Sequence, residues 1–445
     1  MSATTITEDE DKKQIVDDIS EPEEKIDLSK LAALKAKVKK DTDMASKIVA
    51  KKERSLNFGV IGSGQAGSRI AEAYHKLGYD TVVINTAIQD LKFIDVPDSN
   101  KLLLEYGLGG ASKELSIGRA AAEQHREAIA ELVNDKLSNS QVNILCLSLG
   151  GGSGAGSCET MVDILTETGK PLVVTTVLPL SSDDAQTKAN ALETLSFLSK
   201  QVQAKRIQNL IVVDNARIEA ILSNVSQMDF YPTANKIIVE PIDSFNTLSS
   251  MASSTKGLDP MEWAKLFTDS EGLSIYGQIE VENFEDETAL AEAVLTNLDS
   301  NLLASGFDIK QSKYVGVIFA GNKDVSSKIT NSAVNYALAI LAENTGTPRG
   351  VFRGSYVIDE PKNVVKIYFM LSGLGLPESR VTQLKDESQE QLKAVKTKDD
   401  SRNLNLQLDT GKDSVVSEAQ KIRDKIQQKN SAFGRFVTSV TDKKK

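Results

Sequence analysis

The feature of this sequence that most constrains its fold is a glycine-rich loop at residues 150–156. An apolar run at 142–149 precedes the loop, and a helix-like stretch follows it. Five of its seven residues are glycine, so several backbone N–H groups can surround one anion, and the hydroxyl groups of Ser153 and Ser157 can add donors. No lysine follows the last glycine, so the loop is not a Walker A motif. The pattern predicts a phosphate-binding turn at the edge of an α/β sheet.

A second glycine-rich turn lies at residues 62–67, after an apolar run at 58–61. Its G-x-G-x-x-G spacing alone suggests NAD, so an NAD-dependent oxidoreductase is one alternative function. That alternative also requires an acidic residue at the end of the next strand, but this strand ends in Ile84-Asn85-Thr86. The NAD-dependent alternative also leaves the loop at 150–156 without a role. The predicted phosphate contacts of this turn are Gly62, Ser63, Gly64, Gln65 and Gly67.

Short apolar runs alternate with helical stretches between residues 57 and 213, which predicts a mostly parallel sheet with helices on both faces. A long helical stretch follows at about 233–254. Further helical and strand-like runs, up to about residue 380, predict a smaller α+β domain. The expected fold class is α/β, with a Rossmann-like domain, a long central helix, an α+β domain and charged terminal extensions.

The predicted divisions of the chain follow these changes in pattern and charge. They are a charged N-terminal extension at 1–55, a nucleotide-binding domain at 56–228, the central helix at 229–256, a loop with its following helix at 257–272, the α+β domain at 273–383 and a polar tail at 384–445.

Composition excludes several classes of protein. The formal net charge of -10 argues against a protein that coats DNA generally. With two cysteines and two histidines, a disulfide framework, a zinc site and histidine-based catalysis are all disfavoured. No apolar run is long enough to span a membrane, and the acidic N-terminus lacks the apolar core of a signal peptide. We expect a cytoplasmic protein.

Both ends of the chain carry blocks of like charge. Residues 1–27 are acidic and 28–54 are basic, and the stretch at 28–40 has the pattern of a short amphipathic helix. The tail at 417–445 is basic, contains a predicted weak helix at 417–428, and carries Phe433 and Phe436 among its charges. These apolar residues favour docking to a protein partner such as an adaptor. A solubilising tail is the alternative, and direct nucleic-acid binding stays open.

The loop at 150–156 resembles the tubulin/FtsZ signature G-G-G-[ST]-G-[ST/A]-G. Other landmarks of that family follow in the expected order, and the resemblance covers about residues 57–380. They are the Asn85-Thr86 pair, a third glycine loop at 107–111 with its helix, Asn215 at a strand end, and Tyr231 and Asn235 at the start of the long helix.

The resemblance implies that the chain binds GTP and GDP with Mg²⁺. Its implied phosphate contacts are Gly109, Gly110, Ala111, Gly151, Gly152, Ser153, Gly154, Ala155 and Gly156. Tyr231 would lie against the guanine, Asn235 would bond its edge, and Asn215 would also contact it. Without the resemblance, Tyr231 reads equally well as a core aromatic. Asp183 or Asp184 would contact the ribose, although Asp184 also suits a helix cap.

Residues 257–262 resemble the family's catalytic loop, Asn-x-Asp-x-x-[Asp/Glu], which completes the nucleotide site of the next subunit. Asp259 and Glu262 match its two acids, and Gly257 stands where asparagine is usual. Two carboxylates there would orient and polarise an attacking water. The same residues also form a good helix start, with an acid at the cap, proline in the first turn and glutamate at the third position.

The resemblance therefore predicts a GTPase that polymerises head to tail into filaments, in a bacterial or phage-infected cell. The ending at 374–378 and the basic tail favour plasmid and phage members of the family, which position or segregate DNA or phage cargo. The absent asparagine leaves a second alternative, a structural or virion-associated relative that binds nucleotide with little turnover.

Overall fold

The computed structural model describes residues 53–400 and 420–425. The strands are β1 (Phe58–Ser63), β2 (Asp80–Asn85), β3 (Lys101–Leu103), β4 (Val142–Ser148), β5 (Leu172–Leu178), β6 (Asn209–Asp214), β7 (Leu273–Val281), β8 (Tyr314–Gly321), β9 (Gly350–Val357) and β10 (Val365–Leu374). They form one sheet in the order β3-β2-β1-β4-β5-β6-β7-β10-β8-β9.

The relative direction of neighbouring strands changes across the sheet. From β3 to β7 all neighbours run parallel, whereas β10 is antiparallel to both β7 and β8, and β9 runs parallel to β8. This arrangement confirms the predicted α/β fold class. Strand β7 was not predicted, because its second half, from Gln278 to Val281, is only partly buried and its pattern is mixed. It joins β6 through the pairs Leu210–Leu273 and Ile211–Ser274, which makes the sheet continuous between the two predicted domains.

Helices cover both faces of this sheet. The N-terminal helices are α1 (Gly64–Lys76), α2 (Ile88–Lys92), α3 (Leu115–Gln124), α4 (Arg126–Lys136), α5 (Gly152–Gly156), α6 (Cys158–Glu167), α7 (Ala185–Gln203) and α8 (Asn215–Ile221). The others are α9 (Gln227–Leu248), α10 (Pro260–Thr268), α11 (Ala289–Thr296), α12 (Lys323–Lys328), α13 (Asn331–Asn344) and α14 (Glu378–Asp400). Within the described ranges, no helix is long and apolar enough to cross a membrane.

The central strands are buried on both faces, as expected for parallel strands between two helical layers. Leu145 and Val174 belong to the core on one face, and their neighbours Ile144 and Val173 belong to the core on the other. This double burial fixes the positions of the strand ends, where the glycine loops lie.

Helix α9 separates the two halves of the molecule. Its 22 residues correspond to about 33 Å of helix. It ends at Leu248, earlier than the predicted central helix, because the hydroxyl groups of Ser249 and Ser250 bond back to the carbonyls of Phe245 and Thr247 (2.6 and 2.7 Å).

The prediction of a polar tail from residue 384 onward is corrected for residues 384–400, which belong to helix α14. The sequence there is polar, but Leu384 is buried and Glu387 pairs with Lys188 at 3.0 Å. An ion pair of this kind gives no apolar pattern in the sequence. Of the weak helix predicted at 417–428, residues 420–425 are described and are helical. The predicted helix at 28–40 and the residues around Phe433 lie outside the described residues.

A test of the fold lies at Gly67, where α1 crosses β4. A Cβ atom at this position would lie 2.1 Å from the carbonyl oxygen of Cys146. A clash with a backbone atom cannot be relieved by a change of side-chain rotamer. We therefore expect Gly67→Ala to lower the free energy of unfolding, measured by urea denaturation, by about 3 kcal/mol. Gly257→Ala is the matched control, since its Cβ would meet only ordinary contacts, at 3.5 Å and beyond. Equal stability of the two variants would contradict this packing.

Candidate nucleotide site

The parallel strands β1, β2, β4, β5 and β6 end at one edge of the sheet, where ligands bind in open α/β folds. A cavity of about 440 Å³ lies at this edge. Its lining includes six of the predicted contacts, which are Gln65, Gly151, Asp183, Asn215, Tyr231 and Asn235.

The two glycine loops touch each other backbone to backbone. Gly64 has a φ of 71°, and a Cβ there would lie 2.7 Å from the amide nitrogen of Gly154. A Cβ on Gly154 would in turn lie 2.7 Å from the carbonyl oxygen of Ser63. The hydroxyl groups of Ser63 and Ser157 are 2.6 Å apart. This close approach brings the N-termini of α1 and α5, with their free N–H groups, to one place.

The third glycine loop packs onto the same pair. The amide of Gly110 donates to the carbonyl of Thr86 (2.9 Å), and the hydroxyl groups of Thr86 and Ser153 are 2.6 Å apart. Behind them, a Cβ on Gly152 would lie 2.8 Å from Cβ of Ala111. The loop then passes through Lys113, a non-glycine residue with a φ of 67°. Such backbone strain is common at ligand sites.

Several residues predicted to contact the nucleotide lie behind the cavity wall and are absent from the lining of the cavity. They are Gly62, Ser63, Gly64, Gly67, Asn85, Gly109, Gly110, Ala111, Gly152, Ser153, Gly154, Ala155 and Gly156. Asn85 is buried, where its side chain accepts from the amide of Ala87 (3.1 Å) and donates to Asp90 (3.1 Å). Asn85 thus shapes its loop.

The far end of the cavity is formed by the first turns of α9. Tyr231 is 55% exposed, so its ring lies at the surface of the cavity and does not pack in the core. Asn235 follows one turn later on the same wall. The guanidinium of Arg69, from α1, lies 5.2 Å from the centre of the Tyr231 ring.

The two candidate acids have different surroundings. Asp183 lines the cavity and accepts a hydrogen bond from the amide of Leu180 at 2.8 Å. Asp184 caps α7 by accepting from the amide of Thr187 (2.8 Å) and pairs with Lys113. The hydrogen bond from Lys113 lowers the pKa of Asp184 to about 2. Asp183 is therefore the one of the two acids that lines the cavity.

Sequence reasoning missed two cations of this cavity, Arg69 and Lys113. Both follow a predicted phosphate loop within a few residues, and a basic residue there was a usable signal. The charge of Arg69 suits an anionic ligand, whereas that of Lys113 is paired with Asp184.

The loop before α10 is held by strand β9. The hydroxyl of Tyr356 accepts from the amide of Leu258 (2.8 Å) and donates to its carbonyl (3.1 Å). Burial raises the pKa of this hydroxyl, which keeps it protonated. Asp259 and Glu262 then form a capping box, each side chain accepting from the other's amide (2.8 and 3.2 Å). The helix-cap role predicted for these two acids is present in the structure.

Comparison with known proteins agrees with this geometry. A profile of the Tubulin/FtsZ family, GTPase domain, matches residues 57–223, and one of the Tubulin/FtsZ-like protein TubZ-like, C-terminal domain, matches residues 244–385. The chain belongs to the tubulin/FtsZ family. This result removes the NAD-dependent alternative, and the TubZ-like match agrees with the expected likeness to plasmid-type members.

Individual members of the tubulin/FtsZ family are distant in sequence. The tubulin-like protein CetZ of Pyrococcus abyssi is 25% identical over 327 residues, covering 71% of this chain and 85% of CetZ. A GTPγS-form protofilament of Bacillus thuringiensis serovar israelensis TubZ superposes with a TM-score of 0.71 at 19% identity, covering 78% and 95% of the two chains. A structure described as type III plasmid segregation TubZ gives 0.66 at 18% identity, covering 78% and 95%.

The described part of this family member has no cluster of the usual metal-ligating side chains. Residues 53–400 and 420–425 contain no group of three or more His, Cys, Asp or Glu side chains that could hold an ion.

The attachment of the loop to β9 is testable without any ligand. We expect Tyr356→Phe to speed amide exchange of Leu258 by about tenfold, because it deletes both hydrogen bonds and leaves the ring. Hydrogen-exchange mass spectrometry over residues 253–263 measures this. Tyr276→Phe is the control, since that buried hydroxyl donates to the Ile238 carbonyl (2.6 Å) on α9. Unchanged exchange in Tyr356→Phe would show that the loop is held by other contacts.

Proposed function

We propose that the chain binds GTP and hydrolyses it in head-to-tail filaments, where Asp259 and Glu262 of one subunit complete the nucleotide site of the next. The observation that carries this proposal is the separation of the two halves of the site along α9. Residues 256–263 contribute nothing to the described lining of the cavity. Tyr231 lies at the start of α9, and the helix runs about 25 Å further to Leu248 before the catalytic loop begins.

A subunit that carries one half of the site at each of its two ends suits a heterologous, head-to-tail contact with its neighbours. Contacts of this type build open filaments when the rotation between subunits does not close a ring. The solved TubZ protofilament that this chain resembles supports such an assembly. The exposed position of Asp259, next to a half-buried Glu262, leaves both carboxylates accessible to a neighbouring subunit.

In this proposal the three glycine loops bind the phosphates through backbone N–H groups, with Mg²⁺ offsetting phosphate charge. Tyr231 stacks on guanine, Asn235 and Asn215 bond its edge, and Asp183 contacts the ribose. The acids of the catalytic loop orient the attacking water, a role worth about 10²–10⁴-fold in rate for general-base groups.

We further propose that the filaments position or segregate DNA or phage cargo, since a structural relative is described as a plasmid-segregation TubZ. The basic tail at 417–445 would contact an acidic protein partner such as an adaptor. Of this tail, the structure describes residues 420–425, whose side chains are exposed.

A second candidate function is nucleotide binding with little turnover, as in a structural or virion-associated relative. Gly257 favours it, because this position lacks the amide side chain that the family's catalytic loop usually carries. The two candidates agree on binding and assembly and differ only in the rate of hydrolysis.

The base assignment predicts a loss of selectivity in Asn235→Ala. We expect the ratio of GTP to ATP affinity to fall by roughly 10- to 100-fold, since a site built around base hydrogen bonds discriminates by about 1–3 kcal/mol. Equilibrium titration with both nucleotides measures the ratio. Lys236→Ala is the control, because Lys236 is the next residue of α9 but does not line the cavity. An unchanged ratio in Asn235→Ala would remove this assignment.

The shared-site proposal predicts that GTP hydrolysis per molecule rises with protein concentration. Asp259→Asn and Glu262→Gln should each lower the rate at assembling concentrations by about 10²-fold and leave GTP affinity unchanged. These amides keep the capping geometry, so they separate the charge from the helix cap. Phosphate release beside sedimentation of filaments measures both quantities.

The outcomes separate the candidate functions. A rate per molecule that stays flat with concentration contradicts the shared site. Parental rates in both amide variants would leave these residues as helix caps only. Assembly with GTP but negligible phosphate release would favour the relative with little turnover.

A further inference from the structure

A buried ion pair ties the start of the C-terminal helix to the edge of the nucleotide cavity. Arg380, in the first turn of α14, donates from Nε to Oδ2 of Asp214 (2.7 Å) and from Nη2 to Oδ1 (3.3 Å). The two side chains are 4% and 1% exposed. Asp214 is the last residue of β6 and directly precedes Asn215, so the pair lies next to the proposed guanine contact.

The same guanidinium holds a second loop. Nη2 of Arg380 also donates to the carbonyl of Pro179 at 2.8 Å. Pro179 follows β5 and lines the cavity, and Asp183 lies four residues further along this loop. One side chain of α14 therefore joins the loop that carries Asp183 to the strand end that carries Asn215.

Asp214 also fixes the start of the helix that begins at Asn215. Its Oδ1 accepts from the amide of Ala216 (3.0 Å), so the carboxylate caps α8, whose first residue is Asn215. Removing Arg380 would leave a buried carboxylate that caps a helix without a counter-charge, which favours rearrangement of this turn.

Later turns of α14 fasten the same loop. Lys188 pairs with Glu387 (3.0 Å) and donates to the carbonyl of Ser181 (2.7 Å), and the hydroxyl of Ser388 donates to the carbonyl of Ala185 (3.2 Å). Burial acts to raise the pKa of Glu387, but hydrogen bonds led by that from Lys188 outweigh it, and this pKa lies below its ordinary value. Glu387 is thus ionised at neutral pH.

We propose that Arg380 is a positioning residue for guanine selectivity. It sets the separation between Asn215 and the Asp183 loop, and so the width of the cavity at the base and ribose, without touching the nucleotide. The phosphate loops follow other strands, and the described hydrogen bonds of Arg380 go to Asp214 and Pro179. This proposal rests on GTP binding at the cavity as proposed above.

The chemistry at this position requires a planar, forked donor. Arginine can reach a carboxylate and a carbonyl at fixed angles, whereas lysine is a point charge on a flexible stem. Arg380→Lys therefore keeps the charge balance with Asp214 and loses the fixed spacing between the two walls. It is the variant that best separates geometry from charge.

The test compares three ligands in dilute protein: GTP, ATP and inorganic tripolyphosphate. For Arg380→Lys we expect the ratio of GTP to ATP affinity to fall by about tenfold and release of a fluorescent GTP analogue to quicken by a similar factor. Tripolyphosphate affinity should not change, because that ligand contacts only the phosphate loops. A side chain that merely supports the fold would weaken all three ligands together.

The matched control is Arg54→Lys. Arg54 forms a second buried pair, with Asp243 (3.3 Å; 6% and 10% exposed), and also donates to a backbone carbonyl, that of Leu77 (2.6 Å). Neither Arg54 nor Asp243 lines the nucleotide cavity. The substitution Arg54→Lys should lower thermal stability about as much as Arg380→Lys does, and it should leave the ratio of GTP to ATP affinity at the parental value.

Should Arg380→Lys fold poorly, the double variant Arg380→Met with Asp214→Asn removes both charges, keeps an acceptor for the α8 cap, and should show the same loss of selectivity. A parental GTP-to-ATP ratio in a folded variant, or an equal loss of tripolyphosphate affinity, overturns the proposal. If the parent protein itself does not prefer GTP, the proposed function fails first, and the two failures are thereby distinguished.

Discussion

The rest of this structure depends on the contact between the glycine loops that follow β1 and β4. Gly64 and the Ser153–Gly154 backbone approach so closely that no side chain fits between them. The approach is possible because β1 and β4 are adjacent parallel strands, so that their ends are level. It also fixes where α1 and α5 begin, and with them the floor of the cavity on which Tyr231, Asn235 and Asp183 converge.

A second constraint acts from outside the nucleotide-binding half. The loop at 257–262 is tied to β9 through Tyr356, and the loop after β5 is tied to α14 through Arg380. Elements late in the chain therefore hold both the edge of the cavity and the loop that carries Asp259 and Glu262. The GTPase domain and the C-terminal domain are in this sense one functional unit, which fits the continuity of the sheet.

Local pattern explains what the sequence could and could not predict. The glycine loops, the α/β class and the family were readable because glycine spacing and strand–helix alternation are short-range signals. The Asp214–Arg380 pair joins residues 166 positions apart, and no local pattern indicates it. Residues 384–400 of helix α14 were interpreted as a tail because the buried face of this helix is held partly by Arg380 and Glu387, which count as polar. Strand β7 was missed because only its first half is fully buried.

The junction between β6 and β7 has a mechanical consequence. Only the pairs Leu210–Leu273 and Ile211–Ser274 cross it, whereas β5–β6 and β7–β10 are paired along most of their length. The backbone ladder is therefore thinnest at this junction, and part of the connection between the two halves comes from contacts outside the ladder, namely the Asp214–Arg380 pair and the hydrogen bond from the Asp214 amide to the Leu303 carbonyl (2.8 Å). Asp214 therefore holds the two halves of the sheet together at the same strand end that leads into Asn215.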